Sequence, residues 1–176
     1  MVYFEKVSFE QYLADCLSCA KETAQRDDFE FTEGEIEILK DEWDNIKLPK
    51  RATYASAGYD FYAPFTFVIP DGNDYITIPT GIRFVTDRDD IALICAPRSG
   101  LGFKNQVSLA NTIGVIDADY WQSKNHGHIM AKLTSKKSVI IERGKAYMQG
   151  IIVPFVKTDG DDTDSVRDGG FGSTDT

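Results

Sequence analysis

Hydrophobic residues near the start of this 176-residue chain recur with the period of a helix. Ser8 is suited to cap a helix, and Gln11 stands at the partner position of a capping box. The apolar positions that follow fall on one face of a helix of about four turns: Phe9, Tyr12, Leu13, Cys16, Leu17 and Ala20. Thr32 and Glu35 repeat the capping pattern, ahead of a second apolar stripe: Ile36, Leu39, Trp43 and Ile46. Residues 8–46 are therefore predicted to form a helical hairpin.

The pattern changes at Pro49, and from there to Pro154 short β-rich runs alternate with glycine, proline and aspartate. Strands are predicted ahead of the hairpin and through this region, at residues 2–7, 66–69, 75–78, 82–86, 91–95, 106–109, 128–134, 138–141 and 147–153. Many short strands with such spacing indicate a sandwich or a barrel. The expected fold class is mainly β, with an inserted α-helical hairpin.

The chain is expected to divide into three parts. Residues 1–7 and 47–157 would form the β core, residues 8–46 the helical insertion, and residues 158–176 a C-terminal arm. Residues 158–165 contain four aspartates, one glycine and no apolar side chain. Such a segment has too little apolar surface to offset the entropy lost on ordering. A flexible linker is predicted there.

The negative charge of the chain is concentrated in the predicted hairpin. The sequence has a formal net charge of −9, and residues 9–46 hold twelve acidic and three basic residues, so the remainder is balanced. Direct binding to nucleic acid is not expected, because it needs a basic face. The hairpin is expected to pack against the β core or a second subunit, and a protein partner is the other role that its charge suggests.

The lack of recognisable targeting signals and the cysteine usage together favour the cytoplasm as the predicted location. The sequence has no apolar run of about 18 residues that could cross a membrane, and its start lacks the basic and apolar regions of a signal peptide. Three cysteines, an odd number, fit a reducing compartment. Cys16 and Cys19 form a C-x-x-C pair, but only His126 and His128 could complete a zinc site. Buried structural thiols are therefore favoured over a metal or redox role.

The C-terminal residues carry groups that suit a nucleotide. Arg167 offers a planar fork of donors to phosphate, and Phe171 can stack on a base. Backbone and hydroxyl donors for an anion follow: Gly172, Ser173 and Thr174. A glycine-rich tail is by itself equally consistent with disorder, so the assignment depends on the segments upstream.

Four upstream segments fit the same ligand, a nucleoside triphosphate. They are AGYDF at 57–61, PRSGL at 97–101, NTIGVIDADY at 111–120 and RGKAYMQ at 143–149. With the tail as the fifth, their order resembles the trimeric dUTP pyrophosphatase (dUTPase) family over residues 47–176. The resemblance implies a distorted jelly roll of the β-clip type, a homotrimer with shared active sites, dUTP as substrate and Mg²⁺ as cofactor.

In that family water attacks the α-phosphate of dUTP in line and releases dUMP and pyrophosphate, which keeps uracil out of DNA and supplies dUMP for thymidylate synthesis. Two alternatives remain open. One is a dCTP deaminase of the same fold, but that branch places a glutamate in the strand after the third segment, and residues 128–133 contain no acid. The other is a nucleotide-sensing regulatory protein without activity, which the presence of Asp117, Tyr120 and Phe171 disfavours.

The third segment carries the candidate catalytic group. Asp117 is suited to act as a general base toward the attacking water, and a carboxylate that caps a turn is the structural alternative. The resemblance implies that Tyr120 forms a floor beneath the deoxyribose and leaves no room for a 2′-hydroxyl. It also implies a slot whose fixed polarity reads the uracil edge, formed by Asn111 with backbone groups around Val115, Ile116 and Met130.

The second and fourth segments offer groups for the phosphates. Arg98, Ser99 and Gly100 supply a guanidinium fork, a hydroxyl and bare backbone, and Gln149 could hydrogen-bond a phosphate oxygen. The resemblance implies that Asp60 acts near the metal through water. Mg²⁺ would keep several waters and bind mainly the substrate phosphates.

Some positions depart from the family pattern. Lys145 and Ala146 replace an Asp-Arg pair, residues 121–126 lengthen the loop after Tyr120, and Asp175 stands in place of a glycine. The predicted hairpin is additional to the usual core and contains none of the five segments. We therefore expect hydrolysis not to require it.

Overall fold

The computed structural model describes residues 1–72 and 74–163. Its β portion consists of three antiparallel sheets. The strands are β1 (Val2–Lys6), β2 (Lys50–Arg51), β3 (Tyr59–Tyr62), β4 (Phe67–Ile69), β5 (Ile76–Thr86), β6 (Ile91–Pro97), β7 (Ser108–Leu109), β8 (Gly114–Ile116), β9 (His128–Thr134), β10 (Val139–Ile141) and β11 (Ala146–Pro154). The helices are α1 (Phe9–Ala24), α2 (Glu33–Asp44) and α3 (Ser99–Asn105), with a 3-10 turn at Tyr120–Gln122. The mainly β class predicted from the sequence is confirmed.

The sheets enclose one core in the manner of a distorted jelly roll. One sheet has the order β1-β5-β9-β7, another the order β2-β3-β11-β6-β8, and β10 pairs with β4 in a short third sheet. Alternate side chains of the long strands face inward, so Phe84, Leu93 and Leu133 are fully buried in a single cluster. The strand order places β11 between β3 and β6, which brings together three segments that are far apart in sequence.

The two helices of the hairpin begin where their capping residues predict. The Ser8 side chain accepts from the Gln11 backbone N–H at 3.2 Å, while the Gln11 amide turns away and donates to Asp15 at 2.9 Å. Half of the first capping box therefore forms. At α2 the box is complete, since Thr32 and Glu35 each accept from the other's backbone N–H.

The hairpin packs on the β core through a second apolar cluster. Val7, Tyr12 and Cys16 are buried there, and they are surrounded by partly buried side chains: Phe9, Phe31, Leu39, Trp43 and Ile46. Trp43 donates from its indole N–H to the Val7 carbonyl at 2.9 Å. Residues of both predicted apolar stripes thus pack in this cluster.

Two predicted strand boundaries are wrong. The strands expected at 75–78 and 82–86 are one continuous strand, β5, which bulges at Gly81 (φ +72°). The strand expected at 106–109 is only Ser108–Leu109, because residues 99–105 form α3 and Gln106 ends that helix in the left-handed region (φ 56°). Low helix propensity at Gly100 and Gly102 hides α3 from a sequence pattern.

Within the described residues no helix is both long and apolar enough to span a membrane. The fifth segment lies outside the described part of the chain. The predicted linker begins at residue 158 and is described as far as residue 163. Residues 158–163 are in turns or irregular structure.

Candidate nucleotide-binding site

Three of the predicted segments meet on neighbouring strands of the five-stranded sheet. Asp60 on β3 lies opposite Gln149 on β11, and Arg98 follows the end of β6, the strand on the other side of β11. The Asp60 carboxylate is largely buried and lies 3.2 Å from Nε of Arg98, whose side chain is 45% exposed. This contact fixes the guanidinium from one side while leaving nearly half of it open to solvent.

Gly58 makes room for the Gln149 side chain. A Cβ atom at residue 58 would lie 2.6 Å from Oε1 of Gln149, which is closer than van der Waals contact permits. The glycine therefore lets the Gln149 amide lie across β3, beside the Asp60–Arg98 pair. We name these residues, Gly58, Asp60, Arg98 and Gln149, the phosphate cluster.

Ser99 and Gly100 form the first turn of α3 and are exposed. A Cβ added at Gly100 would meet nothing within 4 Å. Sterics within the described residues therefore do not require a glycine there, and its predicted role in letting backbone approach an anion stays a prediction.

The third segment lies on β8, at the edge of the same sheet. Ile116 and Gly114 are buried against Leu93 and Cys95 of β6, whereas Val115 between them is half exposed. This alternation directs Val115 to the opposite face of the strand. Asp117 comes directly after β8 and is half buried, and its carbonyl accepts from the Tyr120 N–H at 3.1 Å.

Tyr120 is deeply buried. It opens the 3-10 turn, and the residue is 4% exposed. Its hydroxyl donates to the His128 carbonyl at 3.2 Å and accepts from the Asn125 amide at 2.9 Å. The role predicted for its ring, a floor beneath a deoxyribose, stays a prediction. A sugar could contact this ring only at its small exposed part, or after the ring shifts.

A cavity of about 620 Å³ lies beside this segment. Three residues predicted for the uracil slot line it together: Asn111 and Ile116, from the third segment, and Met130, from β9. Its volume falls in the range of about 300–1,000 Å³ that is typical of small-molecule pockets. We name it the nucleoside cavity.

The opposite wall of the nucleoside cavity comes from α1, which the sequence reasoning did not foresee. The wall consists of Asp15, Ser18, Cys19 and Glu22. These residues stand at i, i+3, i+4 and i+7, so they form a second stripe on the helix beside the apolar one. That spacing is a signal that the sequence contained. The expectation that hydrolysis does not require the hairpin stays a prediction.

The cysteines divide between the core and the cavity. Cys16 and Cys95 are buried, but Cys19 is only partly so, which corrects the prediction that both thiols of the C-x-x-C pair are interior. Burial raises the pKa of the Cys16 and Cys19 thiols to about 12. Both are therefore protonated, and poorly nucleophilic, at neutral pH.

The described chain keeps the two groups of site residues apart. Residues of the phosphate cluster do not line the nucleoside cavity. The remaining predicted contacts, Arg167, Phe171, Gly172, Ser173 and Thr174, lie outside the described residues. One chain thus presents a cavity of small-molecule size and an arginine–carboxylate–amide cluster at separate places.

Fold and site together define a jelly-roll protein built to hold a nucleotide. Comparison with known proteins is more specific: the dUTPase family model matches residues 44–175. The chain belongs to the dUTPase family. The match begins at the last residue of α2, so it leaves out α1 and nearly all of α2.

Individual relatives agree with this assignment. Deoxyuridine 5′-triphosphate nucleotidohydrolase of Lactococcus lactis is 37% identical over 134 residues, with 73% of this chain and 88% of the relative covered. The enzyme of the same name from Haemophilus ducreyi is 37% identical over 134 residues, covering 71% and 84%. The crystal structure of dUTPase from Streptococcus mutans superposes with a TM-score of 0.57 at 34% identity, covering 64% of this chain and 89% of that one.

Proposed function

We propose that this chain hydrolyses dUTP to dUMP and pyrophosphate by in-line attack of water on the α-phosphate. The observation that carries the proposal is the nucleoside cavity, where Asn111 and Ile116 of the segment that also contains Asp117 meet Met130 of a distant strand. Relatives that bear the name of this activity are matched over most of their length.

Asp117 is the proposed general base. It directly follows Ile116, which is buried and lines the nucleoside cavity. The Asp117 carboxylate would orient a water toward the α-phosphate and accept its proton as the oxygen–phosphorus bond forms. The bond to the bridging oxygen breaks, and pyrophosphate leaves.

The phosphate cluster would hold the triphosphate. Arg98 carries five N–H donors, and its contact with Asp60 engages it through Nε. The exposed part of the guanidinium suits bidentate binding of a phosphate. Ser99, Gly100 and the Gln149 amide would add further donors around the same anion.

The residues present fit a metal ion that arrives with the substrate. Among the described residues no group of three or more His, Cys, Asp or Glu side chains could form a cage for one. Asp60 offers a single carboxylate, which suits a contact through water. Mg²⁺ bound to the triphosphate would neutralise phosphate charge, while Arg98 and Gln149 position the same phosphates.

The proposal includes a homotrimer whose active sites are shared between subunits. The phosphate cluster and the nucleoside cavity of one chain lie apart, so each would be completed by a neighbour. Val68 and Ile140 pair across β4 and β10 and are 47% and 67% exposed. Such apolar surface is suited to a subunit contact. The C-terminal arm would close over the bound nucleotide, and three free cysteines suit a reducing, cytoplasmic setting.

The decisive assay is pyrophosphate release from dUTP, dCTP, dTTP and UTP, each with Mg²⁺ and with EDTA. We expect turnover of dUTP alone, dependent on Mg²⁺. Ammonia release from dCTP would instead support the deaminase alternative. Tight dUTP binding without pyrophosphate release would support a nucleotide-sensing protein.

A further inference from the structure

The α1 helix reaches the nucleoside cavity through a hydrogen-bonded contact. Oδ2 of Asp15 lies 2.6 Å from Nδ1 of His128. The Asp15 side chain is 19% exposed, whereas His128 is fully buried. The Gln11 amide also donates to Asp15, at 2.9 Å, and so orients the carboxylate.

The second ring nitrogen of His128 determines which way this hydrogen bond runs. The Gly81 backbone N–H, which can only donate, points at Nε2 at 2.7 Å. Nε2 must therefore carry the lone pair, and the proton of a neutral ring is on Nδ1. Nδ1–H consequently donates to the Asp15 carboxylate, and both nitrogens of the buried ring are satisfied.

The bulge at Gly81 is closely packed and is tied to the start of the hairpin by a hydrogen bond. Its φ of +72° favours glycine, and a Cβ there would overlap Cδ1 of Ile46. The Gly81 carbonyl accepts from the Val7 N–H at 3.0 Å. Hydrogen bonds thus hold the imidazole between β5 on one side and α1 on the other.

The backbone of His128 is in turn part of the cavity structure. Its carbonyl accepts from the Tyr120 hydroxyl and, at 3.0 Å, from the Asn125 amide. Asn125 lines the cavity, as does Met130, two residues farther along β9. A shift of the His128 backbone would therefore disturb Tyr120, Asn125 and Met130 together.

We propose that Asp15, supplied by the helical hairpin, is a positioning residue of the nucleoside cavity. It fixes the orientation of His128, and through the His128 backbone it sets the positions of Tyr120 and Met130. The inference rests on the proposed function, because it assumes that the cavity receives the deoxyuridine part of dUTP. It assigns to the hairpin, which lies outside the family match, a role in substrate recognition rather than packing alone.

The test compares Asp15→Ala with Asp15→Asn, which keeps an acceptor for Nδ1–H. Glu37→Ala is the matched control, because it removes the same charge from an exposed position of α2. Because it removes a charge-assisted hydrogen bond that orients His128, Asp15→Ala should raise KM for dUTP about tenfold. It should weaken dUMP binding, lower the preference for dUTP over UTP, and leave pyrophosphate affinity unchanged. Asp15→Asn should recover most of the loss.

The outcomes separate the inference from the proposed function. If the wild-type protein does not release pyrophosphate from dUTP, the proposed function fails. If the wild type is active and Asp15→Ala matches Glu37→Ala, the inference fails. Equal losses of dUMP and pyrophosphate affinity would show general destabilisation and would also overturn it.

A measurement on the wild type keeps the inference testable if Asp15→Ala does not fold. Long-range ¹H–¹⁵N spectra of histidine-labelled protein report which ring nitrogen of His128 carries the proton. His126→Asn, which tolerates the positive φ at that position, assigns the two signals. We expect protonation at Nδ1 and a shift on adding dUMP but not pyrophosphate. Protonation at Nε2, or no response to dUMP, would refute the inference.

Discussion

Lys132 on β9 joins α1 to the rim of the nucleoside cavity through Glu22. Its ammonium lies 3.2 Å from the Glu22 carboxylate and 3.5 Å from the centre of the Tyr75 ring. The pair is substantially exposed, so its electrostatic contribution is small. Its importance is geometric: together with the Asp15–His128 contact, about two helical turns away, it attaches α1 to β9 at two points.

Replacing Asp117 by Asn should abolish turnover without abolishing binding. Loss of a general base typically costs about 10²–10⁴-fold in rate, while the cavity that holds the nucleoside is unchanged. Steady-state kinetics and calorimetric titration with dUMP provide the measurement. A variant with more than about half of the wild-type kcat would show that Asp117 only stabilises the turn after β8.

Arg98→Lys should raise KM for dUTP about tenfold and leave deoxyuridine binding unchanged, because lysine cannot make the bidentate contact. Arg88→Lys is the matched control, since that arginine forms its ion pair with Asp90 on a distant loop. Equal KM values for the two variants would place the triphosphate away from the phosphate cluster.

Gly81→Ala should destabilise the fold more than Gly72→Ala, although both glycines have a positive φ. At Gly72 a Cβ meets nothing within 4 Å. The substitution there should therefore lower the free energy of unfolding only through the left-handed backbone, by about 1–2 kcal/mol. At Gly81 the added atom also collides with Ile46, and overpacking adds about 1–3 kcal/mol. Urea unfolding measures both free energies. Equal losses would mean that the hairpin yields easily at Ile46.

Cys19 should react slowly with a disulfide reagent and more slowly still with dUMP bound. Burial raises its pKa to about 12, and the thiolate forms only as pH rises toward that value. At pH 8 the rate should be well below that of free cysteine, whose pKa is about 8.5, because far less of the Cys19 thiol is ionised. Rapid modification near pH 8, unaffected by dUMP, would contradict the place of Cys19 in the cavity wall.

Mixing Asp117→Asn with Arg98→Ala subunits should restore dUTP hydrolysis. If sites are shared, some mixed trimers combine an intact phosphate cluster with an intact third segment, whereas neither parent protein has such a site. Sedimentation before and after subunit exchange establishes the assembly. Active monomers, or mixed trimers without recovered activity, would show that each chain builds its own site.

Local signals in the sequence predicted most of the helices and strands. Contacts between distant segments could not be predicted from the sequence. The capping patterns at Ser8 and Thr32 predict both hairpin helices, because a cap depends on a few neighbouring residues. The bulge that joins two predicted strands into β5 depends on packing against Ile46, which no periodicity reports. The cavity wall on α1 combines a local signal with a distant contact. The helical spacing of its residues can be read from the sequence, but which surface these residues face depends on tertiary structure.

The wall of α1 also bears on how this enzyme could be inhibited selectively. The family match begins at residue 44, so Asp15, Cys19 and Glu22 belong to a segment outside the shared core. A uracil nucleoside extended with a cationic group would meet the carboxylates of Asp15 and Glu22 there. Such compounds would discriminate between this protein and family members whose cavities have no helix at that side.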